Sequence, residues 1–176
     1  RCSPMRTAYL GPKISNDFIN NFFKESETLR LLNESNSKIL KIGDSSLSNE
    51  DKLLDLIAEA ISEGKVVGWF EGEMEWGPRA LGHRSILGDP RKANMKDILN
   101  LKIKRRESFR PFAPAILKEK VSDWFDINSE YDLEVPFMMK VYPISPEKRA
   151  LIPAVCHIDG SGRLQTVTDE DNGRYY

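Results

Sequence analysis

Histidine and cysteine are both scarce in this chain, two of each in 176 residues. Cys2 and Cys156 lie far apart, with no CxxC spacing and no Cys/His cluster. That excludes a thiolate zinc site and predicts a reducing compartment, the cytoplasm. His83 and His157 are too few for a histidine-built metal centre, and no metal site is expected. No apolar run approaches the roughly 18–20 residues that span a bilayer, so no membrane role is expected. No positively charged leader with an apolar centre opens the sequence. The phosphate-cradling pattern GxxxxGK[ST] is missing, as are GxGxxG and the nucleophile pattern GxSxG. A nucleotide bound by this chain must therefore be held by arginines and backbone amides.

What the chain does have is an uneven charge. The formal net charge is −1, yet residues 79–110 carry 10 basic and 3 acidic side chains, or +7, between two segments of −4 each. Like charges gathered in 32 residues repel one another unless a partner or solvent compensates them. Either an anionic ligand or a solvated basic face satisfies that condition. Apolar residues make up 40% of the chain, enough for a hydrophobic core.

The patterning alternates helix and strand signals. The segment 1–14 is turn-rich and reads as a linker. Ser15 reads as an N-cap for a helix with Phe18, Phe22 and Phe23 at helical spacing. Residues 38–43 suggest a short strand, and Ser48 with Asp51 resembles a capping box. The helix that follows places Leu53, Leu54, Ile57 and Ile61 on one face and ends at Gly64. Residues 65–70 read as a buried strand and 85–89 as another. A helix is expected over 92–103, with Met95, Ile98, Leu99 and Ile103 inward. Strands are expected within 112–117 and 136–144, and a hairpin over 155–167 around Gly160 and Gly162. The class is α/β or α+β, with no repeat and no internal boundary after about residue 45.

Three clusters can carry chemistry. The stretch Gly72–Arg91 packs three arginines among four glycines and two prolines. Gly77-Pro78 and Gly82 permit tight turns and close approach to a ligand. Arg79 and Arg84 offer planar forks that match phosphate or carboxylate, and Ser85 adds a neutral donor. Glu73, Glu75 and Asp89 stand close enough in sequence to tie those arginines up instead. The second cluster is Lys102, Lys104, Arg105, Arg106 and Arg110, which no single element can point one way. Pro111 extends the chain beside Arg110, with Phe109 and Phe112 as candidate anchors. In the third, His157 and Asp159 share one side of a strand and Arg163 follows a glycine turn. That pair suits metal binding, proton shuttling or a plain surface hydrogen bond.

"GKVVGWFEGEMEWGPRALGHRSILGDPR", "MKDILNLKIKRRESFRPFAPAIL" and "VCHIDGSGRLQTV" closely resemble the C-terminal domain of the O-carbamoyltransferases, a family that includes nodulation and antibiotic-tailoring enzymes. The resemblance implies a YrdC-like twisted sheet with flanking helices over residues 46–176, truncated at its C-terminus. Residues 1–45 would be the junction, with a short helix, from an N-terminal actin/Kae1-like domain. It implies a module that binds carbamoyl phosphate and ATP, with magnesium, and forms carbamoyl-adenylate. The N-terminal domain, holding its own metal, would then transfer the carbamoyl group to an acceptor hydroxyl.

Carried onto this sequence, the substrate-binding positions are Arg79, Lys104, Arg110 and Arg163, then Arg84, Ser85 and Arg106. Three positions depart from the family pattern. Glu73 stands where an arginine is expected, His83 for asparagine and Trp76 for phenylalanine. The family also continues with "NTSFN" and "GEPIV"-like segments that this sequence lacks. A YrdC-like RNA- or nucleotide-binding module without catalysis is the alternative. Arginines set among glycines and prolines suit a small anion better than a nucleic acid.

Overall fold

A computed structural model describes residues 5–34, 37–40, 50–127 and 133–176. The fold is mixed α/β, with short unclosed sheets and flanking helices. Its strands are β1 (Tyr9–Lys13), β2 (Val67–Phe70), β3 (Glu73–Glu75), β4 (Arg84–Leu87), β5 (Ala115–Leu117), β6 (Val141–Pro143), β7 (Ser161–Arg163) and β8 (Gln165–Val167). They pair two by two: β1 with β3, β2 with β4 and β6 with β7 antiparallel, and β5 with β8 parallel.

Helix α1 (Asn16–Phe22) starts where the sequence predicts, with Ser15 Oγ accepting from Phe18 N–H. Its phenylalanines face outward, Phe18 and Phe22 both being exposed. Helix α2 (Ser26–Glu34) follows. Helix α3 (Glu50–Ser62) lays Leu53 inward and ends at Gly64, whose φ of +90° favours glycine. Lys38–Leu40 form no strand, and the remainder of the strand expected there, like Ser48, lies outside the described residues.

Several expectations need correction. Residues 9–13, read as part of a linker, form β1. Strand β2 is not buried; it pairs with β4 alone, and its exposure alternates so that Phe70 faces solvent. The helix expected over 92–103 forms over 95–103, but as α4 (Met95–Asp97) continued by a π-helical wide turn, Ile98–Ile103, in which Lys104 N–H reaches back five residues to Leu99 C=O. Met95 and Leu99 are buried, but Ile103 is exposed because the widened turn rotates it away from the core. The hairpin expected over 155–167 does not form. Residues 157–160 make a tight turn, after which β7 pairs with β6 and β8 with β5. Long-range pairing of both strands wins over the local return.

The core gathers around Val121, Phe125, Val135, Ile144, Ile152, Val155 and Leu164. A smaller cluster of Met95, Leu99 and Ala154 joins it through the shared neighbour Phe112. Helix α5 (Asp169–Asn172), capped by Thr168, closes the described fold. Among the described residues no helix is long and apolar enough to cross a membrane.

Candidate functional site

The stretch Gly72–Arg91 is held from inside by Glu75. This residue is only 6% exposed, and its Oε1 accepts from the backbone N–H groups of Leu81 (2.7 Å), His83 (2.9 Å) and Arg84 (3.0 Å). Burial alone raises a carboxyl pKa, but these backbone donors outweigh it and hold Glu75 below its ordinary value. The carboxylate stabilises amides rather than guanidinium groups. Leu81 C=O accepts from Tyr9 Oη (2.8 Å) and Gln165 Nε2 (2.7 Å), tying the loop to β1 and β8.

The two glycines of the loop differ in purpose. Gly82, at φ +116°, lies so close to the Tyr175 ring that an added Cβ would stand 3.0 Å from it. The close approach allowed there is therefore to the protein itself. Gly77, at φ +99°, has nothing within 4 Å of that position, so the space above Pro78 and Arg79 is open.

Each sequence-predicted residue can now be placed. Arg79 is half-buried and its Nη1 meets Met139 Sδ at 3.3 Å. Arg84 instead donates to the carbonyls of Glu71, His83 (2.9 Å) and Gly72 (3.2 Å), and lies 3.7 Å over the Phe70 ring. It fastens the β2–β3 turn. Ser85 is buried, and its Oγ accepts from Gly82 N–H at 2.9 Å. Arg91 forks onto Asp89, a 1%-exposed carboxylate, at 2.8 Å.

The second cluster is organised by Asn100, fully buried between Leu99 and Leu101. Its Nδ2 donates to the carbonyls of Ser108 (3.1 Å) and Arg110 (2.9 Å), and its Oδ1 accepts from Arg106 Nε (2.6 Å). Arg105 turns the chain with φ +48°, and the Arg106 guanidinium stacks 4.7 Å over Phe112. The anchored cation is thus Arg106. Phe109 is 73% exposed and anchors nothing, since the turn around Asn100 swings it outward. Arg110 pairs with Glu107 at 2.9 Å on the surface, and Lys104 is exposed at the end of the wide turn.

Arg163 stands on β7 opposite Val141, two residues beyond the Met139 that Arg79 touches. Its pKa is lowered, first by burial and then by the charges of Arg79 and Arg106. Three guanidinium groups, delivered by the Gly77–Gly82 loop, the Asn100 turn and β7, therefore share one electrostatic field. None of the three forms an ion pair with a carboxylate among the described residues. Met138, beside the Met139 contact, is held at φ +52°.

His157 borders this field. Its pKa is lowered by burial, against the pull of Asp159 and with the push of Arg163 and Lys96. It does not touch Asp159 directly; Ser161 stands between, its Oγ 3.0 Å from His157 Nδ1 and donating to Asp159 Oδ1 at 2.7 Å. Among the described residues no three His, Cys, Asp or Glu side chains gather as a metal cage. Of the family departures, Glu73 exposes its side chain and Trp76 is 70% exposed. His83 stacks on Tyr9 at 3.5 Å and donates from Nδ1 to Glu73 C=O at 2.6 Å.

Sequence reasoning missed Asn100 and Gln165, and it named Glu75 and Asp89 only as partners for Arg79 and Arg84, whereas they hold backbone amides and Arg91. A signal existed for Asn100, an amide set inside the apolar run Ile98–Ile103. None existed for Gln165, whose partner is 84 residues away.

The sequence has relatives among known proteins. Over 192 residues an uncharacterised protein of Synechocystis sp. is 41% identical, covering 98% of this chain and 28% of the relative. Nodulation protein NolNO of Sinorhizobium fredii is 47% identical over 126 residues, 72% of this chain and 18% of its own length. The 3'-hydroxymethylcephem-O-carbamoyltransferase of Amycolatopsis lactamdurans is 41% identical over 118 residues, 67% of this chain and 21% of that enzyme. The chain thus spans less than a third of the relatives it matches. The family described as carbamoyltransferase C-terminus matches residues 58–176, from the end of α3 through every cation of the cluster. This chain belongs to the carbamoyltransferase C-terminus family.

Proposed function

We propose that this chain is the activating module of an O-carbamoyltransferase, a YrdC-like domain that binds carbamoyl phosphate and ATP and forms carbamoyl-adenylate. An N-terminal Kae1-like domain of the same protein would pass the carbamoyl group to an acceptor hydroxyl. The observation that carries this reading is that the charges of Arg79 and Arg106 bear on Arg163, with none of the three in an ion pair with a carboxylate among the described residues. An anion bound there would relieve their mutual repulsion, and both substrates are phosphates.

The overall balance takes in carbamoyl phosphate, ATP and water and releases carbamoyl-adenylate, phosphate and pyrophosphate. Displacement at phosphorus depends on positioning and on neutralising charge in the transition state. Arg79, Arg106 and Arg163 supply the fixed positive field. Arg106 is held by Asn100 and Phe112, so it loses little freedom on binding. Lys104 and Arg110, exposed on the same loop, would meet the outer phosphates, Arg110 by exchanging its surface pair with Glu107. Magnesium arrives with ATP as part of the substrate. Names of relatives support the carbamoyl assignment, two being hydroxymethylcephem carbamoyltransferases.

The test is pyrophosphate release from ATP by the full-length protein, with and without carbamoyl phosphate. Release is expected only with carbamoyl phosphate present. Arg79→Ala and Arg163→Ala should each lower it about 100-fold or more, the usual cost of deleting a transition-state charge contact. Activity near wild type in both variants would refute the site. Pyrophosphate release independent of carbamoyl phosphate would refute the reaction.

A further inference from the structure

The turn before β7 carries a histidine whose tautomer can be deduced. Asp159 is a carboxylate and only accepts, so the Ser161 hydroxyl proton goes to its Oδ1 (2.7 Å). The Ser161 oxygen is then left to accept, and His157 Nδ1, 3.0 Å away, must carry the proton that fills it. Ser161 N–H also donates to Asp159 Oδ1 (2.9 Å), and His157 N–H to Ser161 C=O (2.8 Å), which fixes the whole turn. His157 Nε2 is consequently a bare lone pair. It is buried and has no hydrogen-bond partner, one of only two such side-chain atoms among the described residues.

Such an orphan is costly and calls for an explanation. Its surroundings supply one. Ser161 and Arg163 lie two apart on β7, so their side chains share one face of the strand. The charges of Arg163 and Lys96 both bear on the His157 ring. An acceptor without a donor therefore stands at the edge of a field built for anions. Anions offer further acceptors, which cannot fill it. An anion that also carries an N–H donor can.

Building on the carbamoyl phosphate reading, we propose that His157 Nε2 accepts a hydrogen bond from the NH2 group of carbamoyl phosphate and thereby selects carbamoyl over acyl phosphates. Acetyl phosphate has the same shape with a methyl group where the amide nitrogen stands, and it leaves Nε2 unpaired. A site whose buried polar atom is satisfied by one ligand and stranded by another discriminates strongly between them. Nε2 is buried, so this contact requires the groups that cover the ring to move aside when the ligand binds. Lys96 and Arg163 are the nearby long cations, and both are attracted to the incoming phosphate.

The test compares carbamoyl phosphate with acetyl phosphate in the full-length protein. Pyrophosphate release gives the KM for carbamoyl phosphate, and acetyl phosphate is assayed as its competitor. Wild type should bind carbamoyl phosphate at least about 10-fold more tightly. His157→Phe should raise the KM for carbamoyl phosphate about 10- to 100-fold, leaving the KM for ATP and the inhibition constant of acetyl phosphate unchanged. His157→Gln, which restores an acceptor, should recover part of the preference. Ser161→Ala, which frees the tautomer without touching the ring, should lose part of it.

Unchanged discrimination in His157→Phe and Ser161→Ala overturns the proposal. So does equal weakening of both phosphates, which marks a merely structural histidine. A wild type that turns over carbamoyl and acetyl phosphate alike sinks this selectivity and leaves the activation reaction standing. A wild type indifferent to carbamoyl phosphate sinks both.

Discussion

Replacing Glu75 probes the frame of the Gly72–Arg91 loop more directly than replacing any arginine. Its Oε1 takes three backbone N–H groups within 3.0 Å, and the side chain is almost completely buried. A hydrogen bond to a charged group contributes about 1.5–3 kcal/mol, and a stranded buried donor costs about 1–3 kcal/mol. Three such bonds do not add fully, because they share one oxygen and water enters the vacated space. Glu75→Ala should therefore cost about 3–5 kcal/mol, a large fraction of the roughly 5–15 kcal/mol that holds a domain together. Glu75→Gln keeps an oxygen acceptor but loses the charge, and should cost about 1–2 kcal/mol.

Urea unfolding at pH 7, followed by fluorescence, measures both losses. Trp69 and Trp76 flank the loop and serve as reporters. The ranking Ala, then Gln, then wild type is the required result, with the m-value unchanged. The pH dependence supplies an independent check. The folded-state pKa of Glu75 is lowered, so its contribution is present above the ordinary carboxylate value and is lost as pH falls through the folded value. Glu75→Gln should flatten that acid limb. An alanine variant within about 0.5 kcal/mol of wild type would refute the view that this carboxylate holds the loop.

Other outcomes follow from the same contacts. Asp89→Ala should cost about 2–3 kcal/mol in the same urea assay, because it leaves Arg91 N–H and the Arg91 fork without their acceptor. Arg91→Ala should cost less than Asp89→Ala, since its guanidinium is largely solvated. Acid unfolding should show a first loss below the ordinary histidine value of about 6.5. The folded-state pKa of His157 is lowered, so the unfolded chain takes the proton first, and His157→Phe should remove that step. In an ultraviolet titration one tyrosine should ionise only at about pH 12; burial pushes the Tyr175 hydroxyl there, and Tyr175→Phe should delete that phase.

Local signals were well expressed in the sequence. Ser15 and Gly64 marked helix ends because capping depends on a few adjacent residues. The mixed class and the three cation-bearing segments were legible for the same reason. What could not be read was which cations meet. Arg79 and Arg106 come within electrostatic range of Arg163 through the wide turn at Ile98–Ile103 and the pairing of β6 with β7. Neither feature leaves a periodic trace. Arg84 and Arg91 have the same composition around them as Arg79, yet they hold carbonyls and a buried carboxylate. The difference lies in loop direction, which is set by Glu75 from within. Strand β2 was misjudged because an apolar run fits an exposed edge pairing as readily as a buried one.

Among the described residues two non-glycine positions hold left-handed backbone, Arg105 at φ +48° and Met138 at φ +52°. Each immediately precedes a residue of the cationic cluster or its contact, Arg106 and Met139. Such conformations cost of order 1 kcal/mol apiece relative to glycine. A glycine at either position would relieve that tension, so a search for more stable variants would select Arg105→Gly and Met138→Gly. The same changes would slacken the springs that aim Arg106 and Arg79. For this chain, thermal robustness and the proposed anion affinity pull against each other at these two backbone positions.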